Sequence, residues 1–585
     1  MTGLNALADR YMDQLAALDP CLASSMGMTG QEERLTDFGP SAAHARAELA
    51  RRTLTALDGT PVAGRRERIA AAVLRERLST EIALSGAGAY DPLLDTLDGP
   101  IQRIRQSIGL LDRGVDTRWD ALLARLRAVP ATLAGLRESL EAARRGGRIA
   151  PLRQVVRNAR DCRDMRRYLR GLSAGVGGGV SAGADAVPRA ALDTAVAEAN
   201  EALTRFTAYL TEELATEAPQ LDALGPDRYH LGVREFLGTR LDLDDTYAWG
   251  WDELARVQRE MVRTAARIAP GEPVPAVLAR LDRDPRYQIT GTEAFRDWLQ
   301  ELADRAIADL DRTHFAIPEP LRRIDCRIAL TSGPATYLPP SEDLSRPGTV
   351  EWPLRDPGAP IPTWSAPSTL FHEGVPGHHL QLGMTTLNTA AFNRFQRLSS
   401  ELHPGHCEGW GLYAERLMDE LGHLTDPAHR LGMLATGQLL RAARVVLDIG
   451  LHLRLRIPAG AGFAEGERWT PRLGRAFLSD YCGLGPTGFV EFEIDRYLGR
   501  PGQALAYKLG ERVWLEAREA ARRRERSAFD LKRFHQHALG LGPMGLDLLR
   551  TELAGRAEDM PEGQESADHE LSGATGSSAR GCCPR

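Results

Sequence analysis

Cysteine and lysine are both scarce in this chain of 585 residues. There are seven cysteines, and no C-x-x-C pair occurs among them. This pattern excludes a disulfide scaffold and the common thiolate zinc sites. Lysine stands only at Lys508 and Lys532, so arginine supplies nearly all of the positive charge. We attribute this bias to coding in a GC-rich genome rather than to function.

An excess of positive charge is also missing. The chain has 73 basic and 79 acidic residues, which gives a net charge of −6. Because phosphate binding requires a basic surface, we expect no nucleic-acid partner. No apolar run approaches the roughly 20 residues of a membrane-spanning helix, and no basic stretch followed by an apolar core opens the sequence. The composition therefore predicts a cytoplasmic protein with no membrane partner, and leaves its oligomeric state undefined.

Helical periodicity runs through most of the chain. Apolar residues recur at spacings of three and four, as at Ile69, Val73 and Leu74, which is typical of helices packed on a core. The pattern changes between Pro318 and Pro367, where prolines cluster and short apolar runs replace the helical period. The sequence thus predicts a mainly α fold, a large multi-helical body with a small inserted β-element.

Composition divides the chain into six segments. We predict an N-terminal helical lobe (1–170), a Gly-rich connection (171–189), a helical segment (190–317), Pro-rich loops with the small β-element (318–367), a helical lobe with the candidate site (368–555) and a disordered tail (556–585). The connection lacks the G-x-x-x-x-G-K-[ST] pattern of a phosphate-binding loop, so we interpret it as a flexible linker.

The candidate site begins with a histidine cluster. His372, Glu373, His378 and His379 lie within eight positions of one another. Imidazoles bind zinc well, and a nearby glutamate can take a proton from water, so this group is typical of catalytic zinc sites. In the common H-E-x-x-H motif the two histidines share a helix face. Here His372 and His378 are six residues apart.

This spacing is incompatible with a regular helix. Six residues correspond to ~9 Å of rise and ~120° of rotation, yet both ring nitrogens would have to lie ~2 Å from one zinc ion. Gly374, Pro376 and Gly377 stand between the two histidines, and these residue types relax or break a helix. We therefore predict a kinked or broken helix at this point.

A third ligand is expected from the next helix, which opens with a Pro-Gly pair. Glu408 and Glu415 are seven residues apart and share one face of it. Glu408 is either the carboxylate ligand or an exposed helix residue. His403 and His406 stand close by in sequence, and either would replace His378 as a ligand if the first helix stayed regular.

Four motifs follow one another in the second half of the chain: H-E-G-V-P-G-H-H-L-Q (372–381), E-G-W-G-L-Y-A-E (408–415), R-A-A-R-V-V-L-D-I-G-L-H (441–452) and P-G-Q-A-L-A-Y-K-L-G (501–510). Together they resemble the bacterial family called domain of unknown function 885, over roughly residues 4–553. The resemblance implies a helical body similar to gluzincin-type zinc peptidases, with two lobes around a deep cleft. It also implies Zn²⁺ as cofactor, with His372, His378 and Glu408 as ligands and Glu373 as general base.

Further candidates are His379, the last histidine of the first motif, and four residues of the third motif. His379 is expected to orient a ligand or to pack nearby. Asp448 and His452 are four residues apart on one helix, and such a pair would favour a protonated imidazole that stabilises an oxyanion. A purely structural pair is the alternative. Arg441 and Arg444 precede them on the same predicted helix, at the same spacing of three or four residues.

The fourth motif supplies candidates for substrate contact. Tyr507 is predicted to donate a hydrogen bond to a tetrahedral intermediate. Gln503 and Lys508 either contact a substrate carboxylate or carbonyl, or belong to an ordinary polar surface. Arg496 and Tyr497 stand just upstream and rank below Tyr507.

We interpret the chain as a zinc-dependent hydrolase of amide bonds, a peptidase acting on short peptides. Two alternatives stay open: a metal-dependent amide hydrolase or tailoring enzyme for a small metabolite, and a non-catalytic helical binding protein. Glu373 favours catalysis, because a structural zinc site needs no base. We further expect the segment Thr349–Pro353 to pair with an extended substrate as an edge strand.

Overall fold

The structure is a computed structural model that describes residues 3–89, 94–112, 118–175, 189–329, 333–342, 344, 346–354, 356–485 and 487–554. Most of the predicted Gly-rich connection (171–189) and all of the predicted tail (556–585) lie outside these residues. The described chain is mainly α-helical with small sheets, which confirms the predicted fold class.

The helices of the first half are α1 Gly3–Leu18, α2 Pro20–Ser25, α3 Pro40–Asp58, α4 Gly64–Gly86, α5 Pro100–Gly109, α6 Trp119–Arg145, α7 Leu152–Gly175, α8 Arg189–Ala208, α9 Ala215–Glu217, α10 Pro226–Leu237, α11 Leu243–Ile268, α12 Val274–Leu281 and α13 Thr292–Leu310. Those of the second half are α14 Ala366–Glu373, α15 His378–Leu387, α16 Arg394–Leu398, α17 Pro404–Glu420, α18 Pro427–Gly432, α19 Leu440–Leu453, α20 Pro471–Ala476, α21 Gly488–Gly499, α22 Ala506–Glu525, α23 Leu531–Leu539 and α24 Leu546–Ala554. Short π-helical segments are Tyr209–Leu214, Met433–Leu439 and Phe477–Tyr481.

Local sequence signals set many of the helix starts. Proline stands in the first turn of α10, α17 and α18, where its missing N–H removes no helical hydrogen bond. The side chains of Asp242, Asp426 and Thr487 accept hydrogen bonds from backbone N–H groups at the starts of α11, α18 and α21. The predicted helix after the Pro404-Gly405 pair is thereby confirmed as α17.

Two hydrophobic cores organise the helices. The smaller one joins α5, α6, α7 and α8 through residues such as Ile104, Leu126 and Leu203. The larger one contains α10 to α24 together with α1, α3 and α4. The predicted N-terminal lobe (1–170) is therefore divided between the cores, because the apolar faces of α1, α3 and α4 pack with the helices that carry the candidate site.

A cavity of about 400 Å³ lies between the two cores. Tyr11 and Phe236 of the larger core and Phe38 of the smaller core line it, together with several charged side chains. Among its described lining residues are none of the three predicted metal ligands, so the candidate site lies outside it.

The small β-element is a three-stranded sheet with the strand order β2-β4-β3, in which β2 is Asp325–Ala329, β3 is Thr336–Leu338 and β4 is Thr349–Pro353. A separate pair joins β1 (Gln288–Ile289) to β5 (Ile361–Pro362). β4 pairs in parallel with β2 and antiparallel with β3. The prediction that Thr349–Pro353 is an edge strand open to substrate is wrong, because it is the central strand and has ladder partners on both sides.

Glycines allow α17 and α22 to approach each other closely. A Cβ atom at Gly409 would lie 2.4 Å from the Cα atom of Gly510, and one at Gly510 would lie 2.1 Å from the carbonyl oxygen of Gly405. The two backbones are therefore in direct contact. The crossing brings Tyr507, at the start of α22, to the helix that bears Glu408.

We expect Gly409→Ala to lower the midpoint of thermal unfolding, because the added methyl group would push α17 and α22 apart. Overpacking of this kind costs about 1–3 kcal/mol, which exceeds the gain in helix propensity of about 1 kcal/mol. The matched control is Gly171→Ala on α7, where an added Cβ atom meets nothing within 4 Å. Equal midpoints for the two variants would show that the crossing tolerates a side chain.

Candidate metal centre

The helix that carries the histidine motif is broken between its two halves. α14 ends at Glu373 and α15 begins at His378. Gly374 and Gly377 flank the turn with ψ angles of −129° and −130°, far from the helical range. A Cβ atom at Gly377 would lie 1.9 Å from the carbonyl oxygen of His372, so the turn requires glycine there. The predicted break is confirmed, and the imidazole rings of the two histidines lie 4.8 Å apart between centroids.

His372, His378 and Glu408 converge on one point. Glu408 Oε2 lies 3.2 Å from His372 Nε2 and 3.7 Å from His378 Nε2. One donor atom from each residue lies within 4.8 Å of the other two. Two ligands of a tetrahedral zinc ion, each ~2.1 Å from the metal, are roughly 3.4 Å apart. The spacing of these donors is therefore suited to a single ion.

A second glutamate fixes the ring of His372. Glu415 accepts a hydrogen bond from His372 Nδ1 at 2.9 Å and another from Ser368 Oγ at 2.6 Å. A carboxylate on the far nitrogen of a metal-binding imidazole sets its tautomer and raises its basicity. Glu415 is not among the predicted site residues. Its seven-residue interval from Glu408, which places both on one helix face, is the sequence signal that points to it.

The tautomer of His372 provides a test of whether these residues fit a metal. Because Nδ1 donates to Glu415, the neutral ring carries its lone pair on Nε2. That lone pair faces the Glu408 carboxylate at 3.2 Å, an arrangement that is stable only with a proton or a cation between them. Two imidazoles and one carboxylate also leave a fourth position for water or substrate, as catalytic zinc sites do. The donor set therefore fits zinc.

Burial and hydrogen bonds with charged partners shift the pKa values of this cluster in opposite directions. Burial lowers the pKa of His372, but hydrogen bonds with Glu408 and Glu415 outweigh it and raise the pKa to about 10. Burial raises the pKa of Glu408, but hydrogen bonds with both imidazoles hold it well below its usual value. With Glu373 adjacent, three carboxylates surround two imidazoles. The cluster therefore requires a positive charge at its centre.

Glu373 lies at the end of α14, directly after His372. It is 9% exposed, and burial raises the pKa of its carboxyl group. The positive charges of His372, His378 and Arg441 act in the opposite direction. A carboxylate whose pKa is raised above its usual value is suited to take up and release a proton.

Tyr507 stands among three arginines. Its hydroxyl oxygen accepts a hydrogen bond from Arg496 Nη2 at 3.1 Å. The guanidinium groups of Arg441, Arg444 and Arg496 lie 5.4, 4.6 and 5.8 Å from the centre of its ring. The ring also packs against Leu412 of α17. The fold thus brings Tyr507 to the helix that carries the carboxylate of the cluster.

Glu493 and Gln503 hold two of these arginines. The Glu493 carboxylate lies 2.8 Å from Arg444 Nη2 and 3.3 Å from Arg496 Nη1. Gln503 Oε1 accepts a hydrogen bond from Arg496 Nη2 at 2.7 Å. Arg444 and Gln503, both predicted to assist or contact the substrate, are buried in this network. The alternative of an exposed polar surface is wrong for Gln503, because its amide oxygen fixes a buried guanidinium.

The predicted pair of Asp448 and His452 does not form. Asp448 accepts hydrogen bonds from the Tyr229 hydroxyl and the Gly502 backbone N–H, each at 2.7 Å. His452 Nε2 donates to the Tyr497 carbonyl oxygen at 2.9 Å. Burial lowers the pKa of His452 to about 4, so the ring is neutral near pH 7. The role in oxyanion stabilisation predicted for His452 is therefore wrong, since the ring is fully buried and bound to backbone.

Lys508 belongs to an interior ion pair. Its ammonium group lies 2.6 Å from Glu253 and also binds Glu511 and Gln438. The side chain is 1% exposed, and a buried lysine is stable only with partners of this kind. Both interpretations offered by the sequence, substrate contact and polar surface, are wrong for this residue.

His379, the neighbour of His378, is used for packing. One ring nitrogen lies 2.9 Å from the Tyr337 hydroxyl and the other lies 2.9 Å from the Leu321 carbonyl oxygen. Burial lowers the pKa of His379 to about 4. The residue therefore ties the start of α15 to β3 and to the segment before β2.

The two histidines considered as replacement ligands lie apart from the converging donors. His406 Nδ1 lies 3.1 Å from Gln381 Nε2, and the imidazole packs against the ring of Trp514. His403 is buried, and neither of its ring nitrogens has a hydrogen-bond partner among the described residues. Because the helix is broken, His378 rather than either of these residues meets His372.

Fold and site together define a mainly α-helical protein with a histidine–glutamate cluster at a helix break. The chain belongs to the bacterial family described as protein of unknown function (DUF885), which matches residues 20–553. This confirms the family predicted from the four motifs. A search of curated proteins finds no match.

Two solved structures share the fold. A candidate lipoprotein from Colwellia psychrerythraea is 20% identical, with a TM-score of 0.77 over 94% of this chain and 98% of its own. A candidate lipoprotein of unknown function from Shewanella oneidensis is 17% identical, with a TM-score of 0.70 over 95% of this chain and 100% of its own. Within the described residues, the helices are too short or too polar to cross a membrane.

We expect the purified protein to bind one zinc ion per chain, and His372→Ala, His378→Ala and Glu408→Ala each to abolish stoichiometric binding. Glu415→Gln should weaken binding about 10–100-fold, because it removes the carboxylate that orients His372. Elemental analysis after loading and dialysis measures both effects.

The matched control for the zinc measurements is His230→Ala, which removes an exposed histidine outside the cluster. This variant should bind zinc as the wild type does. The metal assignment fails if the wild type holds no stoichiometric metal, or if all three ligand variants retain it. A different metal at the same stoichiometry would keep the site and change only its occupant.

Proposed function

We propose that this protein is a zinc-dependent hydrolase that cleaves amide bonds in short peptides. One observation carries the proposal: His372, His378 and Glu408 converge directly beside the buried carboxylate of Glu373. A site built only to hold a structural ion needs no such base. The relation to gluzincin-type peptidases implied by the motifs is part of this proposal.

Each residue of the site has its own role in the proposed amide hydrolysis. When bound, zinc supplies a Lewis acid that polarises the scissile carbonyl and makes water easier to deprotonate. Glu373 accepts the proton from the attacking water and returns it to the departing amine nitrogen. Glu415 holds His372 in one tautomer throughout, through its hydrogen bond to Nδ1.

Tyr507 is the residue we assign to stabilise the oxyanion. Its oxygen accepts a hydrogen bond from Arg496, and its own proton has no acceptor among the described residues, so the hydroxyl is free to donate. The neighbouring guanidinium groups favour negative charge on that side of the site. A donor already in place at the developing charge stabilises the transition state without reorganisation.

The preference for short substrates follows from burial. His372 and Glu373 are almost entirely buried, and 23% of the Glu408 side chain is exposed. A folded protein cannot bring its backbone to such a recessed centre, whereas a short peptide or a small amide can. A small-molecule amide hydrolase with the same residues is therefore the second candidate.

The location of the protein belongs to the same proposal. We assign it to the cytoplasm, as the sequence predicts, although the two solved structures with the same fold are described as candidate lipoproteins. Cell fractionation with an antibody to the protein tests this assignment. Recovery in the membrane fraction would overturn it.

We expect Glu373→Gln to lower kcat for peptide hydrolysis by about 10²–10⁴-fold, because it removes the general base, while zinc content stays unchanged. The measurement is turnover of an acetylated peptide library followed by mass spectrometry, with elemental analysis of the same samples. Retained turnover would remove Glu373 from this role.

We expect Tyr507→Phe to lower kcat by up to about 10²-fold, as the loss of one oxyanion donor does, with little change in KM. Loss of binding with kcat preserved would instead assign Tyr507 to substrate affinity.

Screening the wild type on peptides beside N-acyl amino acids separates the two candidate substrate classes.

A further inference from the structure

The region around Tyr507, where α19, α21 and α22 meet, contains more guanidinium groups than carboxylates. Arg441, Arg444 and Arg496 gather around the ring of Tyr507. Of these three, Arg444 and Arg496 share the single carboxylate of Glu493. Arg441 has no carboxylate within ion-pair distance among the described residues. Three guanidinium groups thus share one carboxylate at ion-pair distance in a partly buried place, an excess of positive charge that an anionic ligand would offset.

Two guanidinium nitrogens in this group lack hydrogen-bond partners. Arg444 Nη1 and Arg441 Nε are both buried, and neither has an acceptor among the described residues. Arg444 is 3% exposed, whereas Arg441 is partly exposed and donates only to the carbonyl oxygen of Thr436. Buried donors of this kind are normally satisfied. An acceptor supplied by a ligand would satisfy both nitrogens.

The position of Arg441 relates this charge to the reacting centre. Arg441 is among the cations that act on the Glu373 carboxylate, and it also lies over the ring of Tyr507. An anion held by Arg441 would therefore lie near the ring of Tyr507 and within electrostatic range of Glu373. Glu408 and Glu415, which contact the two ring nitrogens of His372, are acidic and would repel the same anion.

We propose that Arg441, supported by Arg444, binds a free carboxylate of the substrate close to the scissile amide. This inference rests on the proposed function, since it names the substrate class of that same site. In a peptide the free backbone carboxylate always lies on the side of the departing amine, so the substrate would be cleaved near its C-terminus. Guanidinium groups pair with carboxylates through two parallel hydrogen bonds, which gives both affinity and orientation.

Two kinds of molecule present this chemistry. One is a peptide whose last residue is released, and the other is an N-acyl amino acid, in which the carboxylate also follows the scissile amide directly. The site recognises the shared group, a carboxylate one residue from the amide. The two sources differ in whether a further peptide bond precedes the cleaved one.

The test is calorimetric binding to the zinc-loaded Glu373→Gln variant, which retains the ligand set and does not consume the ligand. The probes are N-acetyl dipeptides ending in Ala, Leu, Phe or Arg, and the corresponding N-acetyl amino acids, each as free acid and as amide. We expect at least one acid to bind about tenfold more tightly than its amide, as charge-assisted hydrogen bonds require. The series that binds identifies the source of the carboxylate.

Adding Arg441→Gln should abolish the preference for acid over amide, and adding Arg441→Lys should retain part of it because the charge remains. The matched control is Arg523→Gln, which removes an exposed arginine farther along α22 and should leave the preference intact. Equal affinity for acids and amides, no binding of any acid, or a preference that survives Arg441→Gln would overturn the inference. An acid preference without amide hydrolysis by the wild type would overturn the proposed function and leave carboxylate recognition standing.

Discussion

The candidate site depends on the attraction between its carboxylates and a positive charge beside His372. Glu408 and Glu415 project from one face of α17 and contact the two nitrogens of a single imidazole. Glu373 follows His372 directly and is buried as well. Three carboxylates in a poorly solvated place repel one another strongly unless a cation stands among them. The local structure is therefore organised around that cation, whether proton or metal.

Rigid helices and close backbone contacts hold this arrangement in place. The break at Gly377 brings together two imidazoles that a continuous helix would separate. The contact between Gly409 and Gly510 brings α22 against α17, and Tyr507 of α22 packs against Leu412 of the helix that carries Glu408. Sites built on helices keep their geometry better than sites built on loops.

The sequence allowed the parts with local signals to be predicted. Helical periodicity gave the fold class, and glycine and proline between His372 and His378 predicted the broken helix because only a break lets both rings meet. Interactions between residues that are far apart in sequence could not be predicted. Nothing near Lys508 in sequence indicates its partner Glu253, and Asp448 and His452 have the right spacing but each found a partner from another element. Periodicity likewise cannot tell a central strand from an edge strand, which is why Thr349–Pro353 was misplaced.

The two hydrogen bonds of the His379 ring restrict where the Pro-rich region can accept insertions and deletions. This ring is joined to the Leu321 carbonyl before β2 and to the Tyr337 hydroxyl in β3, and it neighbours His378 in the chain. Strain introduced at either anchor would be transmitted through one peptide unit to that imidazole. Insertions or deletions between β2 and β3 can leave both contacts in place, whereas a shift of register in β3 cannot. The length of the connection between β2 and β3 and the register of β3 are therefore under separate constraints.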